Sequence, residues 1–487
     1  MTIDQDTCYQ ALRSRDPRFD GRFFTGVKTT GIYCRPICPA RTPKRNNVQF
    51  FACAAAAEQA GFRPCRRCRP ETAPGTPAWE GSSAIVSRAL RLISQGVCDD
   101  VSIEDLAARV GIGGRQLRRL FIQHLGVAPQ SILRTQRLHF ARQLIDGTDL
   151  PMTSIAYEAG FKSIRRFNQA ILSSFHASPT ELRRMTQDQE RTGGDLTIRL
   201  AYRPPLDWQS VLGFLRARAI PGVESVESET YQRSIEVDGK SGIIEVMPAS
   251  EGPYLILRIQ LPTMTRLAQI VDRVRRIFDL DADPIRIADD LGMDPMLRSA
   301  ARVLPGLRLP GAWDPFELMI RAVLGQQISV KAASTIAGRI VQKFGTPVDG
   351  KSASWITHVF PKAEVLCDAD LHEVGLTGAR ARTIRTIAMA TRNGTLPRDG
   401  SLGLDSVVES LTEIPGIGEW TAEYIAMRAF GEPDAFPEGD LGLRHAVSNG
   451  DSLISSADLR RMAERWRPWR AYAAMYLWSY TAKKERQ

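Results

Sequence analysis

Four cysteines near the N-terminus constrain this chain more than any other feature. Cys34 and Cys38 lie in Gly31-Ile32-Tyr33-Cys34-Arg35-Pro36-Ile37-Cys38-Pro39-Ala40-Arg41, and Cys65 and Cys68 in Gly61-Phe62-Arg63-Pro64-Cys65-Arg66-Arg67-Cys68. One pair is spaced C-x3-C and the other C-x2-C, the pattern a tetrahedral four-cysteine zinc site requires. Most all-cysteine sites are structural staples. Here arginines crowd both pairs, which points to a metal site that faces an anion. Nearby cations stabilise thiolates and attract phosphates, and a zinc-bound thiolate remains a nucleophile. The other cysteines, Cys8, Cys53, Cys98 and Cys367, are scattered. One metal site in a reduced cytosol explains that better than a disulfide framework.

The 487 residues predict three or four domains. With 43% hydrophobic and 24% charged residues the chain is globular, and its formal charge of +10 makes a polyanion a plausible partner. No apolar run reaches the ~18 residues of a membrane span. The first residues lack a basic region followed by an apolar one, so no signal peptide is expected and the cytoplasm is the expected location. Residues 69–83, rich in Pro, Gly and Ser, and residues 186–195, with Gly193-Gly194, read as linkers, and a third junction is expected near residues 305–310. The expected fold is multidomain and mainly α with α+β. Its parts are a zinc domain (1–76), a double helix-turn-helix (82–186), a small α/β sheet domain (195–303) and a helical domain (304–487).

The run Tyr33-Cys34-Arg35-Pro36 through Arg41, followed by Arg63-Pro64-Cys65-Arg66-Arg67-Cys68, resembles the N-terminal domain of the Ada DNA-methylation-response family. The resemblance implies that Cys34 accepts a methyl group from a methylphosphotriester in DNA. Cys38, Cys65 and Cys68 would be the other Zn2+ ligands, and Arg41 would contact the DNA backbone. Such a transfer is stoichiometric, because a thioether does not turn over. It also removes one negative charge beside a DNA-facing surface, so DNA affinity should rise.

Ser102-Ile103-Glu104-Asp105-Leu106-Ala107-Ala108-Arg109-Val110-Gly111 reads as a helix with a Ser102/Asp105 capping box and a glycine stop. Gly114 to Phe121 reads as a second helix, and the pattern recurs at Met152 to Gly160 and Ser163 to Gln169. This is helix-turn-helix spacing. The bland reading is a helical interaction module with a solvated basic face. The duplication, and Gly160-Phe161-x-Ser163 through Phe175-x-x-Ser178-Pro179, resemble the AraC-type DNA-binding domain. Arg115, Gln116, Arg119, Arg165, Arg166 and Asn168 are then candidates for contacts to bases or phosphates.

Residues 196–300 alternate strand-like runs (Thr197 to Leu200, Ser234 to Val237, Ile243 to Val246, Tyr254 to Ile259) with helical stretches, and no chemistry is visible there. Farther on, Pro415-Gly416-Ile417-Gly418 predicts a tight turn between helices whose free N–H groups can hold a phosphate. With Phe436-Pro437-Glu438-Gly439-Asp440, this resembles the helix-hairpin-helix glycosylase superfamily, and within it the AlkA alkylbase glycosylases. Arg321 to Val330, Ala463 to Ala473 and Pro204 to Trp208 match as well.

That resemblance implies Asp440 as the catalytic carboxylate, with Glu438 a weaker rival because the match needs one extra residue after Pro437. It implies Trp420, Tyr424 and Trp478 as walls of a base pocket and Gly416 and Gly418 as phosphate contacts. Gln327 stands where AlkA carries a leucine wedge. Bifunctional relatives place a lysine nucleophile where this chain has Trp420, so no Schiff base is expected. Trp466 and Trp469 read as core.

The expected function is DNA alkylation repair and response. It joins methyl transfer to Cys34, with transcriptional activation, to excision of 3-methyladenine and related bases. Alkylated double-stranded DNA, promoter DNA and RNA polymerase are the expected partners, with no membrane. The alternative is a regulator whose glycosylase half only binds DNA. The Pro-Cys-His-Arg motif for O6-methylguanine repair does not occur in the sequence.

Overall fold

The computed structural model describes residues 4–74, 84–94, 102–185, 196–348, 355–376, 378–448 and 452–484. Linker residues 75–83 and 186–195, and Cys98, lie outside them. The chain forms two compact units, one of residues 1–204, 249–260 and 264–272, the other of 205–248, 261–263 and 273–487.

The first unit opens with a four-stranded sheet. Strand Phe24–Val27 pairs antiparallel with Ile32–Cys34 on one side and Val48–Phe51 on the other, and Ile32–Cys34 pairs in parallel with Arg63–Pro64. Phe24 and Tyr33 pack edge-to-face over Ala54 and Ala57 of the helix Ala54–Gln59. Residues 70–72 form a helical turn in which Arg69 pairs with buried Glu71 and with Asp146. The expected linker therefore begins folded, because its charges have partners.

The helical part follows with Ile103–Arg109, Gly114–Leu125, Pro129–Gly147, Met152–Glu158, Ile164–Phe175 and Pro179–Arg184. Ser102 and Asp105 form the predicted capping box, and Ser178 and Glu181 a second one. Gly111 and Gly160 take φ of +80° and +77° at the turns. Leu106, Leu117, Phe121 and Leu125 form a core that also takes in Cys53 and Ala55 from the cysteine-rich part. Strands Leu196–Ala201 and Tyr254–Gln260 pair antiparallel and belong to this unit. The fully buried Arg203 donates from Nε to the carbonyl of Asp20 at 3.1 Å.

In the second unit, strands Glu224–Glu227, Thr230–Val237 and Lys240–Pro248 form an antiparallel meander. Its helices include Pro315–Leu324, Val330–Phe344, Gly378–Asn393, Leu404–Thr412, Glu419–Ala429, Leu441–Val447 and Arg470–Lys484. Buried Arg233 and Glu224 on the meander meet Glu317 and Arg321 on Pro315–Leu324. Residues 306–310, where a third junction is expected, are buried. Arg308 is 1% exposed and donates to the carbonyls of Asp279, Ala282 and Pro205. Among the described residues no helix is long and apolar enough to cross a membrane.

Candidate functional site

The parallel register that sets Tyr33 opposite Pro64 brings Cys34 and Cys65, the next residues, side by side, with the Cys65 amide donating to the Tyr33 carbonyl at 3.0 Å. Tight turns return Cys38 and Cys68 to the same point. The four sulfurs lie within 4.8 Å of one another, and those of Cys38 and Cys65 are 3.9 Å apart. All four cysteines are buried. Hydrogen bonding among the sulfurs pushes Cys34 and Cys68 up, pushes Cys65 down and lowers Cys38 to about 7. Sulfurs packed this closely cannot all be anions without a cation between them, and an all-thiolate set of four suits Zn2+.

The arginines around the cluster divide into two groups. Arg35 is 2% exposed. Its guanidinium pairs with buried Asp20 and donates to the Cys68 carbonyl, and its amide donates to Cys68 Sγ at 3.3 Å. It holds the cluster's fold instead of facing solvent. Arg41, Arg63, Arg66 and Arg67 are exposed. They line a cavity of about 530 Å3 together with Cys34, Cys38 and Cys65. Ser174 and Phe175, from the end of Ile164–Phe175, form another part of its wall, and Arg66 Nη2 donates to the Phe175 carbonyl at 3.1 Å.

Arg115, Gln116 and Arg119 are exposed on Gly114–Leu125, whose Leu117, Phe121 and Leu125 are buried. Arg165, Arg166 and Asn168 are exposed on Ile164–Phe175, whose Phe167, Ile171 and Phe175 are buried. Each helix turns an apolar stripe inward and a polar, arginine-bearing face to solvent.

In the second unit Asp440 caps the helix Leu441–Val447 and sits half-buried. Its Oδ1 accepts from the Leu443 amide at 2.9 Å and from Trp478 Nε1 at 2.9 Å, and its Oδ2 from Trp420 Nε1 at 3.2 Å. Trp420 and Tyr424 stack with ring centres 5.6 Å apart and planes 9° from parallel. Glu438 is buried and engaged by Arg460, with Nε at 2.8 Å from Oε1. The two carboxylates thus differ: Glu438 is taken up by a guanidinium, whereas Asp440 meets two indoles.

The hairpin at Pro415 to Gly418 joins Leu404–Thr412 to Glu419–Ala429. Gly416 takes φ +95°, and a Cβ there would lie 2.1 Å from Thr383 Oγ1. Gly418 is exposed beside open space. Gln327 is exposed and held at φ +57°, an uncommon conformation for a non-glycine residue. Trp466 and Trp469 are buried, and their indoles donate to Asp294 and Asp290.

Sequence reasoning missed three supports. Gln326 donates to the hairpin. Arg428 donates from Nη1 to the Tyr424 hydroxyl at 2.8 Å. Glu423 accepts from the Phe436 amide at 2.9 Å and so ties down the loop that carries Asp440. Glu423 and Arg428 lie three and eight residues beyond Trp420, which was the available signal.

Four family models match the chain. They are the metal binding domain of Ada (residues 7–71), a helix-turn-helix domain (106–185), the AlkA N-terminal domain (197–314) and the HhH-GPD superfamily base excision DNA repair protein (320–471). A Mycobacterium tuberculosis protein described as a probable bifunctional transcriptional activator/DNA repair enzyme AlkA is 41% identical over 483 residues, covering 98% of this chain and 97% of its own. DNA-3-methyladenine glycosylase 2 of Escherichia coli is 35% identical over 282 residues, 57% of this chain and 95% of its own. The solved 3-methyladenine DNA-glycosylase of Archaeoglobus fulgidus superposes with a TM-score of 0.52 at 27% identity, covering 58% of this chain and 97% of its own. The four-cysteine cluster is accordingly a zinc-binding site. With identity and coverage of this order, the chain belongs to the family of bifunctional transcriptional activator/DNA repair enzymes that join an Ada-type metal domain and a helix-turn-helix to an AlkA-type glycosylase.

Proposed function

We propose that the protein senses and repairs alkylated DNA by two chemistries. In the first, the Cys34 thiolate attacks the methyl carbon of a methylphosphotriester. An S–C bond forms, the C–O bond breaks, and the phosphodiester leaves with the electron pair. Bound Zn2+, held by Cys34, Cys38, Cys65 and Cys68, would supply the charge that keeps the sulfurs as thiolates. Arg41, with the other exposed arginines of the cavity, complements the phosphate. Loss of one negative charge on methylation raises affinity for promoter DNA, read by Arg115, Gln116, Arg119, Arg165, Arg166 and Asn168, and RNA polymerase is recruited there.

In the second chemistry, Gly416 and Gly418 approach a DNA phosphate, Gln327 enters the duplex, and an everted alkylpurine stacks against Trp420, Tyr424 and Trp478. The C1′–N bond breaks with its electron pair going to the cationic base, which leaves neutral. Asp440 stabilises the positive charge that develops on the sugar, and water adds at C1′ and releases a proton. With Trp420 where a lysine nucleophile would stand, the glycosylase is monofunctional and leaves an abasic site.

The reading is carried by Asp440, a carboxylate aimed by two indole N–H groups beside a stacked aromatic pair. Its test is release of 3-methyladenine and N7-methylguanine from methylated DNA, greatly slowed in Asp440→Asn, together with a mass increase of one methyl group on Cys34 after exposure to methylated DNA. Methylation of Cys34 with promoter binding but no base release would leave only the regulator.

A further inference from the structure

We propose that Gln326 is a positioning residue that ties the hairpin's hold on the DNA backbone to insertion of residue 327 into the duplex. The proposal rests on reading Gln327 as the wedge. The Gln326 side chain is a bridge between two loops. Its Nε2 donates to the Gly416 carbonyl at 2.9 Å and to Thr421 Oγ1 at 3.1 Å. Its own carbonyl accepts from the Arg380 guanidinium.

The far end of the bridge is firm. Thr383 Oγ1 donates to the Pro415 carbonyl at 2.9 Å, and Gly416 fills its space so closely that even a methyl group would collide with Thr383. The near end carries the strain. Gln327, the next residue, is exposed and left-handed at φ +57°. Such a backbone persists where its neighbours over-determine it. Here the neighbour is held through both its side chain and its carbonyl. A phosphate seated at Gly416 to Gly418 would therefore fix the height of residue 327 over the base stack. Backbone binding and base eversion would then be one step.

The amide chemistry makes this specific. The Gln326 side chain acts as a donor to two oxygens, so glutamate, of the same shape, supplies no donor and sets a negative charge against a carbonyl. The experiment uses the full chain with Gln326→Glu, Gln326→Ala and Thr421→Val. One arm follows single-turnover release of N7-methylguanine from a duplex and from the same strand unpaired. The other follows the fluorescence of 2-aminopurine placed opposite a tetrahydrofuran abasic analogue, which reports on the wedge without any excision.

Both Gln326 variants should lose about 10- to 100-fold on the duplex, keep the single-strand rate, and lose the fluorescence change. Thr421→Val, which removes one of the two acceptors, should show a smaller loss of the same kind. Equal losses on duplex and single strand in the Gln326 variants would overturn the proposal, as would an unchanged fluorescence response. Failure of the unaltered protein to release base from either substrate would instead remove the excision reading and leave the fluorescence arm to judge the bridge.

Discussion

Replacing Trp478 by phenylalanine asks how the carboxylate of Asp440 is aimed. The change keeps an aromatic ring and deletes the N–H that reaches Oδ1 at 2.9 Å. Trp420→Phe deletes the donor to Oδ2 at 3.2 Å. The Leu443 amide still holds Oδ1 in both variants. A hydrogen bond to a charged group contributes about 1.5–3 kcal/mol, so either loss should slow the chemical step by about 10- to 150-fold. Asp440 is half-buried, so water replaces part of the missing bond and the lower end of that range is expected. The longer contact makes Trp420→Phe the milder change.

The assay is single-turnover release of N7-methylguanine at saturating protein, beside affinity for a duplex with an abasic analogue. The rate should fall while affinity stays within about twofold, because the lost bond acts on the carboxylate and not on DNA. In an Asp440→Asn background, where the charge is already gone, the same substitution should cost much less. An equal loss in both backgrounds would refute the reasoning, since the indole would then act through the base pocket alone.

Gly416→Ala forces a Cβ against Thr383 at φ +95° and should cost about 1–3 kcal/mol in urea unfolding, whereas Gly418→Ala, at an N-cap with open space around it, should cost about 0.5–1 kcal/mol. Burial raises Glu423 to about 7, helped by Glu438 and Glu419 and opposed by the Phe436 amide and Arg470. Its native form keeps a proton that the unfolded chain gives up near 4.5, so stability should fall as pH rises from about 4.5 through 7. The fall is about 3 kcal/mol, and Glu423→Gln should flatten it in denaturation curves at pH 5.5 and 8. Asp20→Ala strips the buried Arg35 guanidinium of its carboxylate and should cost about 3–5 kcal/mol, read by thermal unfolding together with a fall in bound zinc.

What the sequence displayed most clearly was local. Two cysteine pairs at short spacing, a Ser102/Asp105 box and a Pro-Gly-x-Gly turn each depend on residues a few positions apart. What it hid were partners far along the chain. The arginines near the cysteines look alike in one dimension, yet Arg35 turns inward to Asp20, fifteen residues earlier, while Arg41 and Arg67 stay exposed. Glu438 and Asp440 are two residues apart. Which is free to face a substrate depends on Arg460, twenty-two residues beyond Glu438, and on Trp478, thirty-eight beyond Asp440. The strand Glu224–Glu227 escaped notice because it is short and acidic and lies at an edge of the meander.

Arg203 carries a consequence for how such a protein can be divided. It follows the polar stretch that would invite a cut, yet its guanidinium reaches back to Asp20, whose carboxylate steadies the residue beside Cys34. A fragment that ends within residues 186–195 lacks Arg203 and takes that donor away from the Asp20 carbonyl. A sensor fragment therefore keeps this bond only if it runs on through Arg203.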